Sequence, residues 1–92
     1  MSNTSDKTET NIDNLLGNPH KCILFNDDHH SIDEVSIQIQ KAIRCDPERA
    51  WQIMLAAHNT GSAIVITASL ERCELVAGIL EEIGLATKVE EA

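Results

Sequence analysis

Three helix-start signals stand between positions 31 and 69 of this 92-residue chain, and their spacing decides most of what it can fold into. Ser31 is followed three residues later by Glu34, a capping box in which the hydroxyl accepts from a first-turn amide and the carboxylate reaches back to the cap. Asp46-Pro47 is the second signal. Proline pushes the residue before it out of the helical region, which closes one helix, and at the first position of the next its missing N–H is harmless. Ser69 is the third. Each signal leads into helical spacing: Ile32, Val35, Ile39, Ala42 and Ile43, then Trp51, Met54, Leu55, Ala57 and His58, then Leu70, Cys73, Ala77 and Leu80. Gly61 and Gly84 end the second and third helices. Three short runs remain for strands. Cys22-Ile23-Leu24-Phe25 is bounded by turn-forming Asn26-Asp27-Asp28 and reads as the first. Ala63-Ile64-Val65-Ile66-Thr67 is β-branched and reads as a central strand buried on both faces, while the alternation of Leu85 to Val89 marks a last strand with one wet face. The order β-α-α-β-α-β predicts an α+β two-layer sandwich, a three-stranded antiparallel sheet with three helices.

One domain exhausts a chain this long, and so small a core leaves little room for an enclosed active site. A surface pocket or groove is the natural functional feature. Seven Lys and Arg against fifteen Asp and Glu give a formal charge of −8, which excludes the basic stripe a nucleic-acid binder needs and suits a cationic partner. Phe25 and Trp51 are the only aromatic residues, too few for a base-stacking platform. Cys22, Cys45 and Cys73 are odd in number and widely spaced, so they read as small buried hydrophobes in a reducing compartment. No apolar run approaches the roughly 20 residues of a membrane span, and the polar start lacks a secretory layout. The expectation is a soluble, cytoplasmic protein, monomeric because no heptad seam is present. Residues 1–20 hold Ser, Thr, Asn and Asp at high density around a brief Ile12, Leu15, Leu16 cluster, and are expected to form a flexible N-terminal extension to a domain over 21–92.

The densest polar cluster of the folded part is Asn26-Asp27-Asp28-His29-His30. Asn and Asp are turn formers, and a loop leading into a capped helix needs nothing more. A metal-dependent enzyme using Asp27, Asp28, His29, His30 and His58 is a second reading, but consecutive turn side chains diverge and no spaced ligand motif occurs. A Cys–His nucleophile is weaker still, because each cysteine falls at an apolar core position. The third reading is a cation site. An amide oxygen of Asn26, a carboxylate of Asp27 and an imidazole nitrogen of His58 could accept three hydrogen bonds, the full donor capacity of one ammonium. His58 on an inward helix face fits a core histidine equally well.

Several spaced blocks in the right order make the chain resemble the Clp protease adaptor family ClpS. They are Ile23-Leu24-Phe25-Asn26-Asp27-Asp28, then Asp46 with Glu48-Arg49-Ala50 and Gln52-Ile53-Met54-Leu55, then His58 with Gly61. The resemblance runs from about Lys21 to Ala92. It implies a non-enzymatic adaptor without a cofactor that binds proteins beginning with a bulky hydrophobic residue, an N-degron, and hands them to a Clp AAA+ unfoldase of the ClpA or ClpC type. Carried over residue by residue, it implies that Asn26, Asp27 and His58 hold the substrate's α-amino group and that Asp28 contacts the peptide backbone. It also implies a pocket for the first side chain lined by His30, Ile32, Val35, Met54, Ala57 and Leu85, and a Clp ATPase contact at Glu71. The chain departs from the family pattern in places. His29-His30 replaces an aromatic then Thr, Ser31 a frequent Pro, Ile32 a Met, and Ala57 a Val, while Val76 stands where a Lys is usual. Many members carry a longer loop than this chain has between Ile83 and Leu85. A diverged adaptor with altered or lost end-residue specificity is the alternative these departures imply.

Overall fold

All three start signals cap helices in the computed structural model, which describes residues 17–92. Most of the expected N-terminal extension, residues 1–16, lies outside the described residues. Ser31 Oγ accepts from Glu34 N at 3.1 Å and Glu34 Oε1 accepts from Ser31 N at 2.9 Å, opening helix α1 over Ile32–Ile43. Asp46 Oδ1 accepts from Arg49 N at 2.8 Å and opens α2 over Pro47–Thr60. Ser69 Oγ accepts from Arg72 N at 3.2 Å and opens α3 over Leu70–Glu81. Gly61 closes α2 with φ 95°, a left-handed conformation that a side chain would strain.

The strands are β1 at His20–Phe25, β2 at Ser62–Ala68 and β3 at Thr87–Glu91, antiparallel in the order β2-β1-β3. The element order and the α+β class are those predicted. Strand order corrects one expectation: β1 is central, and the β-branched run of β2 is an edge. Helices pack against one face of the sheet only, so alternate residues of β2 point outward and Ile64 is 50% exposed. A bulge between the pairs Cys22↔Ile66 and Ile23↔Ile64 leaves Val65 unpaired, which lets the consecutive Val65 and Ile66 both reach the core. β1 has both edges bonded and sends Cys22 and Leu24 inward.

The core lies between the sheet and the helices, where Ile39, Leu80, Val76, Cys22 and Cys73 are fully buried. Burial pushes the Cys22 thiol up to about 11, aided by the nearby Cys73 and Glu81, so it stays a neutral core group. Three smaller expectations shift. Leu70 is exposed at the first turn of α3, with Val76 buried instead; Cys45 is only half-buried; and Leu85 is buried before β3 begins rather than within it. Replacing Leu80 with Ala should cost about 2–5 kcal/mol in urea denaturation, the range for emptying a packed leucine site. A loss under about 1 kcal/mol would contradict its place at the centre of the core.

Candidate functional site

The chain is fixed where it leaves β1, at the last residue of the strand and the first of the loop. Phe25 N donates to Ala86 O at 3.0 Å and Asn26 N donates to Gly61 O at 3.0 Å. The second bond sets Asn26 beside the end of α2, one turn from His58, although the two are far apart in sequence. Asn26 Nδ2 donates to Asp28 Oδ1 at 3.2 Å, so the Asn26 amide is oriented by its NH₂ group and its Oδ1 has no partner among the described residues.

Asp27 is the hinge of the loop. Its Oδ1 accepts from the backbone N–H of His29 and of His30, both at 2.7 Å, and from His30 Nδ1 at 3.0 Å. All three bonds fall on one carboxylate oxygen, and Oδ2 has no partner among the described residues. Burial raises the Asp27 pKa, but the bonds from the His30 ring and from the His30 and His29 amides outweigh it and hold the carboxyl below its ordinary value. His30 is pushed the other way. Its bond to Asp27, then its bond to the Ile83 carbonyl, raise it above its ordinary value against the effect of burial.

These side chains edge an open cavity of about 290 Å³. Asn26, Asp27, His30, Ile32, Val35, Met54, Ala57, His58 and Leu85 line it, together with Leu24, Phe25, Trp51 and Leu55. The volume is at the low end of the roughly 300–1,000 Å³ common for ligand pockets, room for one side chain and its immediate neighbours. Its floor is apolar: Val35, Ala57 and Leu85 are buried. Ile32 is 60% exposed at the rim, and Trp51 and Leu55 are roughly half exposed. His58 is exposed rather than packed into the core, and neither ring nitrogen has a hydrogen-bond partner among the described residues. It sits in the last turn of α2, where unpaired carbonyls place partial negative charge that favours a cation by about 0.3–1 kcal/mol. The positive end of α1 is met by Asp33 and Glu34 in its first turn.

Two expected site residues are elsewhere. Asp28 is exposed in the loop and braces Asn26 without lining the cavity, and Glu71 lies in the first turn of α3. Among the described residues no three His, Cys, Asp or Glu side chains converge as a metal site requires. No described helix is long and apolar enough to cross a membrane. Trp51, Leu55 and Phe25 line the cavity without having been singled out for it. The signal was present in the spacing of Trp51, Leu55 and His58 at i, i+4 and i+7, which stacks them on one helix face.

Fold and cavity define a small α+β binding module whose apolar pocket is rimmed by hydrogen-bond acceptors. Residues 17–88 match the family described as ATP-dependent Clp protease adaptor protein ClpS, and the chain belongs to that family. The ATP-dependent Clp protease adapter protein ClpS of Gloeobacter violaceus is 38% identical over 72 residues, covering 77% of each chain. The Synechococcus elongatus protein of the same name is 27% identical over 88 residues, covering 95% of this chain and 93% of that one. Agrobacterium tumefaciens ClpS2, solved bound to L-phenylalaninamide, shares the fold with a TM-score of 0.77 at 23% identity, over 82% of this chain and 98% of that one.

The opposite shifts of Asp27 and His30 set a pH window. A depressed Asp27 contributes stability that is complete above its ordinary 3.8 and is lost as pH falls through its folded value. A raised His30 contributes stability that is complete below its ordinary 6.5 and is lost as pH rises through its folded value. The stability difference between the wild type and Asp27→Asn should therefore be largest between those two ordinary values and shrink on both sides. A difference independent of pH, measured by urea denaturation, would contradict the pairing.

Proposed function

We propose that this adaptor binds proteins bearing a bulky hydrophobic N-terminal residue through their free α-amino group and delivers them, in the cytoplasm, to a Clp AAA+ unfoldase of the ClpA or ClpC type. It catalyses no reaction itself. One observation carries this reading: a cavity sized for one side chain is lined by Asn26, Asp27 and His58, whose Oδ1, Oδ2 and ring nitrogens are acceptors without a partner among the described residues. A primary ammonium has three N–H donors and no acceptor capacity. The α-amino group, with a reference pKa of about 7.7–8.0, is mostly cationic at neutral pH, whereas an internal peptide nitrogen offers one neutral N–H. Three acceptors with one carboxylate among them discriminate ends from internal residues, because an acetylated end leaves acceptors unpaired. The apolar floor adds about 1.5–3 kcal/mol for a buried Leu or Phe side chain. The L-phenylalaninamide held by the Agrobacterium tumefaciens protein has this chemistry, a free amino group on a bulky side chain.

In this reading Asn26, Asp27 and His58 bind the amino group, and Asp28 contacts the peptide backbone. His30, Ile32, Val35, Met54, Ala57 and Leu85 form the pocket. Glu71, on the α3 surface away from the cavity, contacts the Clp ATPase, and residues 21–92 constitute the adaptor domain with 1–20 assisting delivery. A second reading, changed preference among first residues, is supported by Ile32 at the rim and by the small Ala57 in the floor, which reshape the wall from opposite sides.

Fluorescence-anisotropy titration with peptides beginning Leu, Phe, Trp, Ile and Ala, each with a free and an acetylated end, tests the proposal. A bulky free end should bind and its acetylated counterpart should not, with Asp27→Ala or Asn26→Ala weakening binding by about 2–5 kcal/mol. Failure of every free end to bind would overturn it. Glu71→Arg should abolish co-elution with a Clp ATPase N-terminal domain while leaving peptide affinity unchanged; loss of both would contradict the separation of the two surfaces.

A further inference from the structure

Both ring nitrogens of His30 face acceptors. Nδ1 is 3.0 Å from Asp27 Oδ1, and Nε2 is hydrogen-bonded to the carbonyl oxygen of Ile83. A neutral imidazole has one N–H and satisfies one of these partners, whereas the imidazolium donates to both. The two acceptors belong to different walls of the cavity. Asp27 is in the loop between β1 and α1, and Ile83 is in the turn between α3 and β3, two residues before the buried Leu85 of the pocket floor. The turn lies against the ring. Gly84 takes φ 91°, a left-handed conformation that favours glycine, and a Cβ there would stand in ordinary van der Waals contact, 3.7 Å from His30 Cε1.

The ring also settles what Asp27 can offer a ligand. With the His29 amide, the His30 amide and the His30 ring all on Oδ1, the outward oxygen is Oδ2. Without the ring bond only the two amides hold Oδ1, and the carboxylate gains freedom about its terminal torsion, which is a broad one.

We infer that His30, doubly protonated, is the positioning residue of the amino-group site, holding Asp27 Oδ1 on one side and the Ile83 carbonyl on the other so that Oδ2 meets the ligand at a fixed gap between the cavity walls. This rests on the end-recognition reading of Asn26, Asp27 and His58. The charged groups that act on the ring are Asp27 from its own loop and Glu34 from α1, whose carboxylate is held by Ser31; His58 from α2 lines the same cavity, and the α3–β3 turn presents the Ile83 carbonyl. Asp27 and Glu34 both favour the imidazolium, in keeping with its raised pKa. Electrostatics alone predicts the opposite outcome: removing the imidazolium would leave Asp27 without its cationic partner, held by the two amides only, and a purely electrostatic site would bind an ammonium more tightly without His30.

Anisotropy titrations of one peptide with a free N-terminal Phe, across neutral to alkaline pH, compare the wild type with His30→Phe, which keeps the ring and removes both donors. Failure of the wild type to bind brings down the end-recognition reading itself, and the positioning role with it. Where the wild type binds, His30→Phe should weaken affinity about tenfold near pH 6.5, the loss of roughly one hydrogen bond to a charged group. The ratio should fall as pH rises and the wild-type ring gives up its proton, because the neutral ring keeps one of its two donor bonds and the variant has neither. Titration of the ligand's amino group occurs in both proteins and cancels from the ratio. A ratio of one throughout, a ratio that does not change with pH, or tighter binding by the variant overturns the inference. Long-range ¹H–¹⁵N spectra of the unaltered protein give an independent answer that needs no substitution. Both His30 nitrogens should carry protons at pH 6.5, and a neutral ring there overturns it.

Discussion

Strand β1 is bonded along both edges, and the loop that follows it inherits that constraint. Its last amide donates to Ala86 on the β3 side and the next amide, that of Asn26, donates to Gly61 at the end of α2 on the β2 side. Two backbone bonds of opposite direction thus hold the loop across the end of the sheet. From there Asn26 meets the last turn of α2, Asp27 turns the chain into α1, and the space enclosed between α1, α2 and the approach to β3 becomes the cavity. The site depends on sheet order: with β1 at an edge, the loop would have one neighbour instead of two.

Within that frame polar and apolar requirements are kept apart. The loop satisfies its own amides with Asp27 Oδ1 and braces Asn26 with Asp28, which leaves the outward acceptors without partners among the described residues. The floor beneath is aliphatic, with Val35, Ala57 and Leu85 buried. Charge-assisted bonds of about 1.5–3 kcal/mol each on the rim and a similar gain from one buried side chain are comparable in size. Neither term is large enough alone for tight binding, so the proposed recognition rests on both together, a free amino group and a bulky side chain on the same residue.

Signals confined to a few neighbouring residues were legible in the sequence. The capping box of Ser31 and Glu34, the Asp46-Pro47 boundary and the Ser69 cap each place a helix start within the described fold, because capping is decided within one turn. Strand order was not, since β-branched residues mark a strand without saying how many neighbours it has; the run at Ala63–Thr67 proved to be an edge with Ile64 outward. Residue types alone left Asn26, Asp27 and His58 as one option among three, and family resemblance singled it out. The cavity adds what composition could not carry: that Trp51 and Leu55 flank it, and that His30 reaches across to Ile83 through a turn only a glycine at position 84 forms without strain. That contact joins residues 53 apart and has no local signature.

The central claim is that one cavity reads a free amino end. The most direct measurement is a ¹H–¹⁵N chemical-shift titration of the whole chain with L-phenylalaninamide and, in parallel, with its N-acetyl derivative. The account predicts saturable shifts for the free amine at Asn26 to Ile32, around His58 and Gly61, and at Leu85, with none near Glu71 and little response to the acetylated compound. Equal responses to both compounds, or shifts centred away from the cavity, would contradict it.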